Sequence, residues 1–324
     1  MMQDGGIALV PEEIYTPIIN GEPYHDTGAN YQRARAENRF LNPGRFISFE
    51  AISEQLDDPS RPPLDRADVQ EATLTADQLF WRRNGYLVKE RFIPESIIDA
   101  YLELRQRRGI TGGMFENFSP YMRYDEIKDL CLYKPLHGLI TNLIGEDLGM
   151  HFNLSAFRST ERGWHQDDYL NPPEIVGRYI AVWTAVGDVH PDSGPFEFIP
   201  GSHLWGWMRR HLVLEYLDAE TRQFGLTILN GKHWASYAEL FVNPAYAEKI
   251  TREGVPPHKF LGKKGDVLLW HANLVHRGSI PTNPNIDRTG MITHYSSITI
   301  RRDIGSDIRQ WRDGGYYWHF ENYL

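Results

Sequence analysis

His165 and Asp167 stand two residues apart in the run Gly163-Trp164-His165-Gln166-Asp167-Asp168-Tyr169. On an extended chain such a pair points the same way, so one imidazole and one carboxylate can reach a single metal ion. One more imidazole would complete a two-His, one-carboxylate face. On an octahedral ion that face leaves three positions open, the arrangement used for non-haem Fe(II) oxygen chemistry. A third donor is offered 111 residues further on, in Gly265-Asp266-Val-Leu-Leu-Trp-His271-Ala-Asn-Leu-Val-His276-Arg-Gly-Ser279. Either His271 or His276 could serve. They are five residues apart, so on a regular strand they face opposite sides. His276 closes the run beside small residues, where a ligand with open sites around it fits. His271 follows Trp270 inside an apolar stretch, which suits a packed, hydrogen-bonded role. Twelve residues after His276 comes Arg288, a guanidinium able to hold a carboxylate in a fork. A second His-x-Asp pair, His190-Pro191-Asp192, runs into Ser193-Gly194-Pro195 and reads as a turn.

These segments must be carried by strands. His151–Phe157, Tyr179–Val189, Phe196–Ile199, His258–Leu261, Val267–Trp270 and Thr289–Thr299 are short β-branched or aromatic runs, most of them separated by turn residues. Helices precede them. Thr75 with Gln78 forms a capping pair for a helix ending at Asn84-Gly85, and Pro94-Glu95 opens another to about Arg108. Two more are expected near Asp125–Tyr133 and Leu136–Ile144. The fold expected is mainly β with a helical flank, a closed or double-sheet body. Residues 1–74, broken by Pro17, Pro23, Pro43 and Pro62-Pro63, read as an arm wrapping the main domain of 75–324, with ordered pieces near Ile14–Ile19 and Phe46–Leu56. An insertion spans about 204–255, with helices expected at Trp207–Leu217 and Ala245–Arg252 and a strand at Leu226–Leu229. It reads as a lid or a contact between copies of the chain in a homo-oligomer.

Composition narrows the partners. The chain of 324 residues carries 34 Lys and Arg against 43 Asp and Glu, a net charge of −9, which disfavours nucleic acid. Cys131, the single cysteine, points to a reducing compartment, the cytoplasm. No apolar run is long enough for a membrane span, and Met-Met-Gln-Asp-Gly-Gly has no basic region of the kind that opens a signal peptide. The 9 Trp, 17 Tyr and 15 Phe would suit an aromatic-lined cavity for a small-molecule substrate.

Taken in order, His165-Gln166-Asp167, Asp192-Ser-Gly-Pro-Phe-Glu-Phe-Ile-Pro-Gly-Ser-His203, Gly265-Asp266-Val-Leu-Leu-Trp-His271, Leu274-Val275-His276 and Arg288 resemble the phytanoyl-CoA dioxygenase family of Fe(II)/2-oxoglutarate-dependent oxygenases. The resemblance covers about residues 75–300. It implies a double-stranded β-helix, the jelly-roll or cupin-like core. It implies Fe(II) on His165, Asp167 and His276, with 2-oxoglutarate held by Arg288 and O2 as the other cosubstrate. It further implies that Gln166 and Trp183 line the cosubstrate pocket and that Ser279, one residue beyond the usual hydroxyl position, assists Arg288. The carboxylate at Asp167, where related halogenases carry Gly or Ala, favours hydroxylation or a desaturation or epimerisation variant, with release of succinate and CO2.

Two other functions fit parts of the pattern: a Zn(II) or Mn(II) isomerase or hydrolase on the same His-Asp-His set without 2-oxoglutarate, and a non-catalytic jelly-roll that binds sugars or lipids. The first has no need for the guanidinium of Arg288, and the second would hold no iron and turn over no 2-oxoglutarate. Arg158 and Arg162 could meet an anionic substrate or serve in salt bridges. Trp207, Arg209, Arg210 and His211 could belong to a lid or a solvated face. His203, His271 and Asn273 read as structural.

Overall fold

The computed structural model describes residues 18–19, 22–23, 27–37, 47–57, 60–110, 119–222, 234–301 and 303–320. The described part of the arm is a set of short pieces: β1 (Ile18–Ile19) with β2 (Glu22–Pro23), helix α1 (Ala29–Glu37) and β3 (Ser53–Glu54). Ile14 and Phe46 lie outside the described residues. Phe49 and Ile52 are buried, so this arm contributes core rather than lying on the surface.

Helix α2 (Ala76–Asn84) begins where Thr75 and Gln78 close a reciprocal capping box, and it ends at Gly85, whose φ of 73° is the left-handed stop that glycine takes at low cost. Then come β4 (Tyr86–Lys89), α3 (Glu95–Arg107), α4 (Asp125–Cys131) and α5 (Lys134–Ile144). The apolar faces of these helices bury Trp81, Ile98, Leu104, Ile127, Leu136 and Ile140 against one side of a large sheet.

That sheet is built from β5 (Leu148–Ala156), β6 (Tyr179–Ala185), β10 (Val267–His271) and β12 (Gly290–Ser297), in the order β5-β12-β6-β10 with β4 on the edge beyond β10. Alternation along β6 sends Ile180 and Val182 into the helical core and Ala181, Trp183 and Ala185 to the opposite face. The opposing small sheet is β7 (Phe196–Phe198), β9 (His258–Lys259) and β11 (His276–Gly278), ordered β11-β7-β9. Phe196, Phe198, Trp270 and Ile292 fill the space between the two sheets. This is the double-sheet body expected from the pattern of strands, and the jelly-roll that the family resemblance implied. Two further strands, β13 (Ile308–Gln310) and β14 (Tyr316–Trp318), were not evident in the sequence; β14 joins the large sheet parallel to β5.

The insertion departs from expectation. Trp207–Met208 form β8, not a helix, because they pair with β3 of the arm; the helix α6 starts only at Arg210 and runs to Arg222. Helix α7 runs from Trp234 to Glu253 with Pro244 inside it, so it begins well before the helix expected at Ala245–Arg252. The strand expected at Leu226–Leu229 lies outside the described residues. No helix among the described residues is long and apolar enough to cross a membrane.

Candidate metal centre

His165 and His276 form an isolated antiparallel bridge that extends the small sheet. His165 N donates to the His276 carbonyl at 3.0 Å and His276 N to the His165 carbonyl at 2.9 Å. Residues paired in this way project their side chains from the same face, so the two rings lie 4.2 Å apart. Asp167 is fixed two residues on, where its amide donates to the Ala272 carbonyl at 2.9 Å. Its Oδ1 lies 3.6 Å from His165 Nε2 and its Oδ2 lies 3.7 Å from His276 Nε2. Trp270 Nε1 donates to Oδ2 at 3.0 Å and sets the carboxylate plane. The donor atoms of the three residues all lie within 4.8 Å of one another, a spacing that a single metal ion could bridge.

The two histidines share a further feature. His165 Nδ1 sits 2.8 Å from the Gly163 carbonyl and His276 Nδ1 sits 2.9 Å from the Leu274 carbonyl. A carbonyl only accepts, so each Nδ1 carries the proton and each Nε2 turns its lone pair toward Asp167. Burial drives both imidazoles below their ordinary pKa, and for His165 the nearby Arg162 guanidinium adds to it. Both are thus neutral at pH 7, the form that binds a metal.

These groups open into a cavity of about 560 Å³ between the sheets, a size suited to small molecules. Arg288 lines it, yet is only 2% exposed. Its guanidinium lies 4.1 Å over the Trp183 ring, and its Nε has no hydrogen bond. Among the described residues no carboxylate lies within ion-pair distance of it, and burial lowers its pKa to about 9. A buried cation without an anion is costly unless a ligand supplies one.

Residues 128–288, which contain all four of these side chains, match the model of the phytanoyl-CoA dioxygenase family. This segment is a phytanoyl-CoA dioxygenase family domain. A curated relative, phytanoyl-CoA dioxygenase domain-containing protein 1 from Danio rerio, is 31% identical over 119 residues, covering 37% of this chain. That match spans 34% of the relative's own length. Among solved structures, the non-haem alpha ketoglutarate dependent epimerase SnoN from nogalamycin biosynthesis superposes with a TM-score of 0.50 at 16% identity, over 76% of this chain and 99% of that one. The likeness establishes the shared fold. EctD from S. alaskensis with bound Fe gives 0.48 at 17% identity, over 86% and 89%.

Within the phytanoyl-CoA dioxygenase domain two expected lining residues point elsewhere. Gln166, between His165 and Asp167, is not among the residues that line the cavity. Its amide is used up: Nε2 donates to the Gly206 and Asn273 carbonyls at 3.0 and 2.9 Å, and Oε1 accepts from Met208 N and the Tyr246 hydroxyl at 3.1 and 3.0 Å. It ties the insertion to the metal segment instead of lining a cosubstrate pocket. Ser279 is turned out as well, since His276 and Gly278 take the inward positions, and its hydroxyl donates to the Pro195 carbonyl at 2.6 Å. The hydroxyl at the inward level is Thr160, which lines the cavity and approaches Gly278. Trp183 does face inward, and it stands behind Arg288 rather than among the cavity-lining residues.

The secondary candidates are placed as follows. Arg162 lines the cavity but its Nε is paired with Glu239 of α7 at 3.0 Å. Arg158 Nη1 donates to the Pro284 carbonyl at 2.9 Å, outside the cavity. Trp207 packs on His271, Arg209 pairs with Glu54 at 3.5 Å, Arg210 stacks on Trp234, and His211 is exposed. His271 is on the opposite side from the metal set: its Nε2 meets Asp65 Oδ2 of the arm at 3.0 Å and its Nδ1 accepts from Asn273 N at 3.0 Å. His203 Nε2 bonds the Arg82 carbonyl at 3.0 Å, and Asn273 Nδ2 donates to the carbonyls of His203 and Gly206 at 2.9 and 2.8 Å. His190 and Asp192 form the turn, with Asp192 N donating to His190 Nδ1 at 3.1 Å. Sequence reasoning missed His151, Asn171, His294 and Arg301, which all line the cavity. For His294 a signal existed, since it alternates in step with Gly290 and Ile292 along β12.

Proposed function

We propose that the protein is an Fe(II)- and 2-oxoglutarate-dependent oxygenase that hydroxylates an unactivated C–H of a small molecule. His165, Asp167 and His276 would hold Fe(II), and Arg288 would take the distal carboxylate of 2-oxoglutarate. Bound together, the metal and cosubstrate supply oxidation by O2 coupled to decarboxylation, with succinate and CO2 released.

The observation that carries this reading is Arg288, a buried guanidinium without a carboxylate partner among the described residues, in one cavity with the His165, Asp167 and His276 donor set. A Zn(II) hydrolase or isomerase on the same three ligands has no use for it. The donor set fits Fe(II), since two imidazoles and one carboxylate leave room for two chelating oxygens and one more ligand. The residues of this chain have three jobs. Arg288 and Trp183 hold the diacid in one pose, so its keto-acid end meets the metal in one orientation. The Gly163 and Leu274 carbonyls hold the two ligand rings in position. Phe196, stacked 5.0 Å from His276, and Trp270 keep water from the ligand face. Helices α2–α5 and the arm share buried core with the sheets, which supports treating 75–324 as one catalytic domain with 1–74 packed upon it. The reducing cytoplasm is the compartment we infer from Cys131.

The test is an anaerobic titration. Adding Fe(II) and then 2-oxoglutarate should raise a metal-to-ligand absorption band at one equivalent per chain, and air should then yield succinate slowly without any prime substrate. A protein that takes up Zn(II) but gives no band with Fe(II) and 2-oxoglutarate would overturn the reading.

A further inference from the structure

The cavity contains a second basic end. Arg301 lies just beyond β12 and lines the same space as the His-Asp-His set. Its Nη1 donates to Asn171 Oδ1 at 2.6 Å and to Ser296 Oγ at 2.9 Å. Its Nε is buried without a hydrogen bond, and the half-exposed carboxylate of Asp303 stops 3.6 Å from it. Asn171 in turn donates to the Asp167 carbonyl at 3.2 Å, so Arg301 is braced against the segment that carries the carboxylate ligand.

Strand register places this end relative to the rest. Gly290 lies against Trp183, the ring beneath Arg288, while Ser296, held by Arg301, is six residues along the same strand. At about 3.3 Å per residue the two guanidiniums are anchored roughly 20 Å apart. Between them His294 is level with Ala181 and, across β6, with Trp270, whose indole holds Asp167. The metal set thus stands between two cations. A five-carbon diacid gripped by Arg288 is too short to reach Arg301 as well.

A β-bulge furnishes the same end. His294 pairs with Phe152 but Tyr295 pairs with Met150, which leaves His151 as the extra residue. The bulge re-aims the chain, so Phe152 and His151, though adjacent, both line the cavity. Burial pushes the His151 imidazole well below its usual pKa and the His294 imidazole to about 4, so both are neutral donors or acceptors.

Charge then decides the class of ligand. With the cavity loaded as proposed above, the divalent ion is balanced by Asp167 and the near carboxylate of 2-oxoglutarate, Arg288 by the far carboxylate, and Arg162 by Glu239. Among the described residues, Arg301 is left with the half-exposed Asp303 at 3.6 Å as its one carboxylate neighbour. We infer that the Arg301 end, with Asn171, His151 and Tyr179 around it, binds a carboxylate or similar oxyanion of the prime substrate. Arg301 thereby determines which carbon lies over the metal. This rests on the oxygenase reading, and it adds that the substrate is an organic acid gripped at the end opposite to 2-oxoglutarate.

The experiment uses the full chain loaded with Zn(II) and 2-oxoglutarate, so that Arg288 is filled and no turnover occurs. Saturation-transfer NMR then scans hexanoate, benzoate and 3-phenylpropionate against their primary amides, with phenyl phosphate and phenyl sulfate as separate arms. Acids should bind at least about tenfold more tightly than amides, as expected for a charge-assisted fork. Arg301→Gln should erase that preference, Arg301→Lys should keep part of it, and Asn171→Ala should reduce it while the protein remains folded. Stronger signals from the phosphate or sulfate arm would identify that oxyanion at the same cation. Amides equal to acids, no signal from any oxyanion, or a preference that survives Arg301→Gln would overturn the inference. Calorimetric binding of 2-oxoglutarate to the same sample separates the two levels: if it fails, the oxygenase reading fails; if it holds and the acid preference is absent, only this inference falls.

Discussion

His165 and His276, 111 residues apart in the chain, exchange both backbone hydrogen bonds of an antiparallel pair and stand with their rings 4.2 Å apart. The bridge makes the two histidines one structural unit. Whatever aligns β11 with the segment after Trp164 also sets the spacing of the proposed metal donors, and Asp167 is fixed two residues on by the Ala272 carbonyl. His271 is excluded by the same geometry, because it ends β10 of the other sheet and is held by Asp65.

His276→Ala should therefore abolish Fe(II) retention with little loss of folding, since a neutral imidazole is removed from a cavity wall. His271→Ala should keep iron and lose about 1–3 kcal/mol of stability, because the buried Asp65 carboxylate and the Asn273 amide lose their partner. Paired iron content and urea unfolding check this. Retained iron in His276→Ala with loss in His271→Ala would move the ligand to the other histidine.

Arg288→Met should separate stability from binding. Replacing a buried, unpaired guanidinium by an apolar chain of similar length should stabilise the ligand-free protein by about 1 kcal/mol or more. The same change should weaken 2-oxoglutarate by about 2–4 kcal/mol, roughly 30- to 1,000-fold, with Fe(II) affinity little changed. Thermal melting without ligand and calorimetric titration with 2-oxoglutarate read the two effects. A lower melting point with unaltered 2-oxoglutarate affinity would refute both.

Gly163→Ala should damage the site without touching a ligand. A Cβ there would collide with the Asn243 carboxamide of α7, and the Gly163 carbonyl is the acceptor that orients His165. Metal affinity should fall about 10- to 100-fold, as for other disturbed supports of a ligating histidine. Asn243→Ala in the same chain should restore much of it by vacating the space. A double variant no better than Gly163→Ala would show that the collision is relieved some other way.

Asp65 predicts a pH dependence. Burial by itself raises its carboxyl, but the charge and hydrogen bond of His271, with His203 and Arg82 behind, outweigh it and hold the pKa below its ordinary value. A carboxyl depressed in the folded state stabilises above the unfolded pKa, near 4, and that contribution is lost as pH falls toward the folded value. Wild type should therefore exceed Asp65→Asn in melting temperature at pH 6–7, with the gap closing below about pH 4. A gap that widens on acidification would contradict the assignment.

Much of this molecule was legible in order along the chain. The capping pair Thr75 and Gln78, the strand runs and the His165-x-Asp167 spacing depend on neighbours within a few residues, and local pattern determines such features. His271 and His276 are separated for another reason than the alternation expected along one strand: they lie on β10 and β11, strands of different sheets. The family resemblance added Arg288, whose role no spacing rule alone could assign. The places where sequence reasoning failed depend on contacts across the fold. Gln166 and Ser279 sit beside cavity-lining residues in sequence but are turned outward, where Tyr246, Met208 and Pro195 take their polar atoms. Trp207 is a strand because the arm offers it an edge at β3. The bulge that brings His151 into the cavity arises from a one-residue mismatch between β5 and β12. Arg288 and Arg301 carry the same charge, yet only packing decides that one lies buried with no carboxylate beside it among the described residues while the other is braced by Asn171 and Ser296. Residue types and short spacings determine which groups are present and which way a strand presents them. Which polar atoms are already satisfied, and which are left facing a ligand, is decided by partners that folding brings from a hundred residues away.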